Sequence, residues 1–87
     1  MGDITFAEDA WEEYLFWQGQ DKKTLRKINS LLKDIQRNPF TGLGKPEPLH
    51  DLEGNWSRRI NDKDRLVYQI VEGRVVVKQC RGHYDDR

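Results

Sequence analysis

Two alternating apolar runs, residues 65–70 (RLVYQI) and 74–82 (RVVVKQCRG), are separated only by Val71, Glu72 and Gly73. Strand-forming runs joined by so short a Gly-containing link fold back as an antiparallel hairpin. The register of that hairpin decides which side chains share a face, because a slip of one residue turns every side chain over. A two-residue Glu-Gly loop needs a positive φ at Glu72, which suits Asn or Asp better. A three-residue loop puts Gly73 at the left-handed position, so the sequence favours Ile70 opposite Arg74. In that register Arg65, Val67 and Gln69 share a face with Val75, Val77, Gln79, Arg81 and His83. The arrangement holds provided that no bulge intervenes between Cys80 and His83.

The remaining segments supply layers for this hairpin. Residues 56–60 (WSRRI) read as a further strand, and the β-branched DITF as a first one. In AEDAWEEYLFWQGQ, helical spacing puts Trp11, Tyr14, Leu15 and Gln18 on one face, with Gly19 near the end. Asp21 is a good N-cap for a second helix in which Leu25, Ile28, Leu32 and Ile35 recur, and Asn38-Pro39 ends it. Lys22, Lys23, Arg26, Lys27 and Lys33 punctuate its opposite face, as a solvated face or a nucleic-acid patch. Residues 38–55 carry no regular pattern; Phe40, Leu43, Leu49 and Leu52 are the candidates for pinning them to the body. The expected fold is α+β, with order βααβββ and a small antiparallel sheet carrying two helices on one face.

Composition narrows the function classes. The 87 residues form one domain, over residues 1–87, which buries only about 60–65% of its unfolded surface. The 15 basic and 15 acidic residues cancel, but unevenly: residues 1–36 carry −2, residues 37–84 carry +3, and residues 85–87 carry −1. That focuses positive charge on the C-terminal half and suggests an anionic ligand. One cysteine allows no intrachain disulfide, which fits a cytoplasmic protein, and one Cys with two His does not make a structural zinc site. No apolar run approaches the roughly 20 residues of a membrane span, so no membrane association is expected.

Three segments carry the candidate chemistry. In GKPEPLHD, Pro46 and Pro48 hold Glu47 in a stiff extended stretch, so the carboxylate loses little entropy on being positioned. In NWSRRI, Arg58 and Arg59 must face opposite ways on a strand, so at most one lines any patch, in a salt-bridged edge or a phosphate site. The chain then ends RGHYDDR, delivering His83 and Tyr84 from the last strand. A carboxylate, an arginine and an imidazolium on one surface suffice to cleave RNA at its own 2′-OH without a metal. Spacing alone does not select that chemistry, because Glu, Arg and His are common.

The stretches AWEEYLFWQ, DKKTLRKINSLLKDIQRNPFTGLGKPEPL, LEGNWSRRINDKDRLVYQI and CRGHY resemble the YoeB family of bacterial toxins, within the RelE-like superfamily. The likeness runs from about Ile4 to Tyr84. It implies the toxin of a toxin–antitoxin pair, an mRNA endoribonuclease acting in the A site of the 70S ribosome and silenced by a YefM-like antitoxin. It also implies homodimerisation and no cofactor or metal. Carried over by motif, Glu47 would be the general base, Arg65 would stabilise transition-state charge, and His83 would be the general acid. Tyr84 would position the scissile phosphate or an adjacent base, while Lys45, Arg59 and Arg81 would contact substrate or ribosomal RNA.

Three departures accompany the likeness. Family members commonly have one more residue between Glu47 and Leu52, a Lys after the Leu, where this chain has His50. They usually stop at His-Tyr, whereas this chain adds the short extension Asp85-Asp86-Arg87. They tend to carry a helix-capping Ser where this chain has Ala7. Two alternatives stay open beside ribosome-dependent cleavage. One is a non-catalytic blocker, as in the gyrase-poisoning relatives; the other is a ribonuclease that needs no ribosome.

Overall fold

The computed structural model describes residues 2–83; Tyr84 and the extension 85–87 lie outside the described residues. Its elements are β1 (Ile4–Phe6), α1 (Glu8–Gln20), α2 (Lys22–Arg37), β2 (Glu47–Pro48), β3 (Trp56–Arg59), β4 (Arg65–Val71) and β5 (Arg74–Gln79). The sheet runs β1-β5-β4-β3-β2, and both helices pack against one face, giving the expected α+β architecture. Two details extend it. The first strand lies parallel to β5, and the stretch read as patternless contributes β2, antiparallel to β3.

Ile28, Leu31, Leu32 and Ile35 form the buried stripe of α2, as their spacing requires. They close against Leu66, Tyr68, Val75 and Val77 of the sheet, all buried, each aliphatic side chain contributing about 1.5–3 kcal/mol. Asp21 caps α2, its carboxylate accepting from Thr24 N at 3.1 Å and Thr24 Oγ1 at 2.8 Å. In α1 the buried positions are Ala10 and Trp17, seven apart, whereas Trp11 and Leu15 are exposed. The expected apolar face of α1 is therefore rotated. Trp11 rests instead on the rings of Phe6 and Tyr14 at 5.7 and 5.9 Å. No side chain caps α1 at Ala7.

The hairpin corrects the expected register. Val71 pairs with Arg74, so the loop has two residues, with Glu72 at φ 50° and Gly73 at φ 78°. Two consecutive left-handed residues make the primed turn whose twist matches the flanking strands, and that match outweighs the strain at Glu72. Val75 and Val77 consequently face the helices. A bulge follows: Tyr68 opposes Val77 but Val67 opposes Gln79, leaving Lys78 as the extra residue. The bulge reverses the parity, so Gln79 ends on the same face as Val67 and Arg65.

The long loop is held chiefly by a buried cation; of its apolar side chains, Phe40 rests on the ring of Trp56 at 4.7 Å and Leu49 is half-buried. Leu52 is fully exposed, and Phe40 and Leu43 are about half exposed. Arg58 is completely buried on the helix side of β3 and pairs with Asp34 of α2. Its remaining donors reach the carbonyls of Asn38, Thr41 (2.9 Å) and Leu43 (3.0 Å), and the Tyr68 hydroxyl at 3.2 Å. Tyr68 Oη in turn donates to Pro39 O at 2.6 Å. Gly42, at φ 113°, passes so near the Asp34 carboxylate that a Cβ would lie 2.2 Å from Oδ2. Every donor of a guanidinium that has left water is thus answered.

Asp34→Asn leaves that guanidinium without a counter-charge and is expected to cost about 3 kcal/mol, of a total of roughly 4–13 kcal/mol for a chain of this size. Arg58, and next the Leu43 amide, hold the Asp34 carboxyl below its ordinary value of 3.8. Its contribution is therefore complete above the ordinary value and lost as pH falls through the lower folded-state value. The urea-midpoint gap between wild type and Asp34→Asn should stay constant from about pH 7 to 5 and close below about pH 4. A gap that persists unchanged in acid contradicts the pairing. At the turn, Glu72→Asn relieves left-handed strain and should raise Tm by a few degrees.

Candidate active site

The face of the sheet away from the helices carries the candidate residues. Glu47 opposes Ser57, Ser57 opposes Val67, and Val67 opposes Gln79, while Arg59 opposes Arg65 in the next row. From β2 Glu47 reaches diagonally past the small Ser57, bringing its Oε1 to 3.4 Å from Arg65 Nη1. The two proposed partners in chemistry thus meet, with the Glu47 side chain 59% exposed and that of Arg65 24% exposed. Arg59 N donates to Gly44 O at 2.7 Å, which docks the Lys45 segment beside the Arg59–Arg65 row. Lys45 itself is exposed with φ 52°, a left-handed conformation for a side-chain-bearing residue.

His83 arrives on a segment that has left the sheet. After Gln79 the ladder ends, and α1 captures the freed backbone of Cys80: its N–H donates to Glu13 Oε1 and its carbonyl accepts from Trp17 Nε1, both at 2.8 Å. Two residues on, Gly82 N donates to Asp64 Oδ1 at 2.7 Å, and Gly82 O accepts from Arg65 N and Gln79 Nε2, each at 3.0 Å. Arg65 is therefore linked to both ends of the constellation, to Glu47 by its side chain and to the residue before His83 by its backbone. His83 is exposed.

Other expected contacts are placed differently. The Arg81 guanidinium lies 3.6 Å from the centroid of Phe16 on α1, a cation–π contact that turns it to the helix side. The expected common face of Arg65 and Arg81 is therefore not formed. His50 is exposed in the loop between β2 and β3. Asp51 organises that loop, accepting from the backbone N–H groups of Glu53, Gly54 and Asn55. Glu53 then bridges to the sheet face, its carbonyl taking Gln69 Nε2 at 2.5 Å and its carboxylate lying 3.4 Å from Lys78 Nζ.

Glu13, Trp17 and Asp64 were not legible as site-supporting residues. Glu13 and Trp17 read as ordinary helix positions, and Asp64 as part of the polar turn NDKD. Cys80 is buried, and burial with the Glu13 and Asp64 carboxylates pushes its thiol up to about 12, so it is an inert core residue. Among the described residues no group of three or more His, Cys, Asp or Glu is placed to hold a metal ion. The face is open and polar: Glu47 pairs with Arg65, Arg59 opposes Arg65 in the sheet, and His83 is exposed just beyond the anchored Gly82.

Comparison with known proteins finds relatives along nearly the whole chain. Residues 6–84 fit the family model described as the YoeB-like toxin of bacterial type II toxin-antitoxin system. Toxin YoeB of Escherichia coli (strain K12) is 49% identical over 82 residues, spanning 93% of this chain and 98% of that protein. A YoeB dimer from Staphylococcus aureus superposes with a TM-score of 0.89 at 44% identity, over 95% of this chain and 98% of that one. A YoeB–YefM complex from Staphylococcus aureus gives 0.87 at 42% identity, over 97% and 99%.

Lys45→Gly removes the left-handed strain and should stabilise the chain by about 0.5–1 kcal/mol. Thermal unfolding checks this, a lowered Tm being the contrary result.

Proposed function

We propose, on the premise that this chain belongs to the YoeB-like toxins of bacterial type II toxin–antitoxin systems, that it is an endoribonuclease cutting mRNA in the ribosomal A site. The observation that carries the reading is the 3.4 Å approach of Glu47 to Arg65, with His83 anchored through Gly82 to the same strand. Glu47 takes the proton of a ribose 2′-OH, and the freed oxygen attacks the adjacent phosphorus. Arg65 neutralises the charge that builds on the equatorial oxygens of the phosphorane-like transition state. His83, as imidazolium, protonates the departing 5′-oxygen. The products are a 2′,3′-cyclic phosphate and a 5′-hydroxyl, so every atom and proton is accounted for within the substrate and two side chains.

Exposure explains why a ribosome is needed. With more than half of the Glu47 side chain in water, this surface has no walls to orient a flexible strand. Holding the reacting groups in line accounts for a large share of the barrier reduction in such a reaction, and an mRNA already held in the A site arrives oriented. Lys45 and Arg59 are assigned to the incoming strand, Tyr84, which follows His83 directly in sequence, to the scissile phosphate or an adjacent base, and Arg81 to ribosomal RNA beside α1. The chain acts in the cytoplasm, forms a homodimer and is neutralised by a YefM-like antitoxin; dimeric and YefM-bound relatives support these partners. Among the described residues no helix is long and apolar enough to cross a membrane.

Primer extension on mRNA from a translating extract is expected to show codon-registered cuts that Glu47→Gln and His83→Gln each reduce by about 10²-fold or more. Cuts that survive both substitutions contradict the acid–base reading. Arrest of translation without any cut would identify a blocking protein instead.

A further inference from the structure

Nothing in the chemistry of the site itself accounts for Asp64. It is 6% exposed, although a carboxylate ahead of a strand has no need to leave water. Each of its oxygens is engaged: Oδ1 accepts from Gly82 N at 2.7 Å, and Oδ2 from Asn61 Nδ2 at 3.0 Å. Asn61 is itself fixed, its Oδ1 accepting from Lys63 N at 2.8 Å and Asp64 N at 2.7 Å. The backbone carbonyl of Asp64 accepts from Ile60 N at 3.0 Å and Asn61 N at 3.3 Å. The carboxylate is therefore mounted on a turn with its own internal bracing. Among the described residues, the one hydrogen bond the carboxylate accepts from outside that turn comes from the amide of Gly82.

Gly82 sits at φ 89°, a conformation open to glycine, and its carbonyl is taken by the backbone N–H of Arg65. The consecutive residues Asp64 and Arg65 thus grip both polar groups of one peptide residue, the one immediately before His83. This grip exists because the ladder between β4 and β5 has already ended at Gln79. Beside it, the Gln79 side chain donates to the same Gly82 carbonyl at 3.0 Å, but among the described residues only Asp64 takes the Gly82 amide.

We infer that Asp64 is a positioning residue, which sets where the imidazole of His83 stands by holding the Gly82 amide. This rests on the proposed role of His83 as general acid. The same turn delivers Arg65, so the distance between the acid and the Arg65–Glu47 pair is set by one rigid dipeptide. Asp64 touches no substrate in this account; it acts through the backbone.

The test uses the full chain, mRNA programmed on 70S ribosomes, and amide hydrogen exchange of the free protein. Asp64→Ala should raise exchange at Gly82 by about tenfold or more while Tyr68 and Val77 in the ladder keep theirs. Single-turnover cleavage should fall by about 10–100-fold, as displacement of a reacting group by about 1 Å allows, with ribosome half-saturation within about twofold. The exchange of Asn61→Asp with Asp64→Asn, in which the amide oxygen at position 64 accepts from Gly82 and its NH2 donates to the carboxylate at position 61, should stay within about fivefold of wild type. Combined with His83→Gln, Asp64→Ala should add little further loss, since both act on one proton transfer.

Several results overturn the inference: undiminished cleavage in Asp64→Ala, unchanged protection at Gly82, or loss of protection throughout the ladder. Equal loss in the Asn61→Asp/Asp64→Asn exchange and in Asp64→Ala, or full additivity with His83→Gln, does the same. Undiminished cleavage in His83→Gln alone instead refutes the general-acid reading, so the two failures are distinguishable.

Discussion

The buried guanidinium of Arg58 is the interaction on which the rest of the structure depends. An uncompensated charge inside a small domain is untenable, so Arg58 must be met on every side. Asp34 meets it from α2, Tyr68 from β4, and three loop carbonyls from residues 38–43. One side chain thereby fastens the end of α2, the loop and the middle of the sheet to each other. The loop's far end becomes β2, and β2 carries Glu47. A cation on the helix side of the sheet thus determines where a carboxylate stands on the other side.

The same device recurs on the other side of β4 with the charges exchanged. There the chain leaves its ladder after Gln79, and carboxylates of Glu13 and Asp64 accept its orphaned amides. A strand that stops being a strand must satisfy its backbone elsewhere, and buried amides without partners are rare in folded proteins. In both places ionic side chains meet the polar backbone of a non-repetitive segment, while Phe40 on Trp56 and the buried Cys80 add apolar contact. This suits a surface that must stay open and polar to accept a phosphate backbone. The exposed leucines of the loop are consistent with that division of labour.

The sequence made the repetitive parts legible because their determinants are local. Ile28, Leu32 and Ile35 at helical spacing, the Asp21 cap and the Pro39 stop are all readable within a few residues. The opposite orientations of Arg58 and Arg59 followed from strand geometry alone. Which of the two was buried did not, because the partners of Arg58 are 10 to 24 residues away in sequence. The hairpin is more instructive. A two-residue primed turn replaces the expected three-residue loop, and a bulge at Lys78 then reverses the parity again. The expected nearness of Arg65 to the His83 segment is therefore realised by a different route, and Arg81, expected beside them, is drawn to Phe16. Glu47, Arg65 and His83 were nameable from motifs resembling a known family, whereas the residues that hold them in place were not. Such supports are chosen by tertiary geometry, and a single Asp in NDKD looks like any other turn residue.

The central claim is that three separately anchored segments present an acid–base set too open to act on a strand that nothing else orients. The most direct measurement is the single-turnover cleavage rate of one mRNA sequence, free and then bound in the A site of a 70S ribosome. The account predicts an acceleration on the ribosome of about 10³-fold or more, with Glu47→Gln and His83→Gln lowering the ribosome-bound rate. Equal rates on free and ribosome-bound mRNA would contradict it.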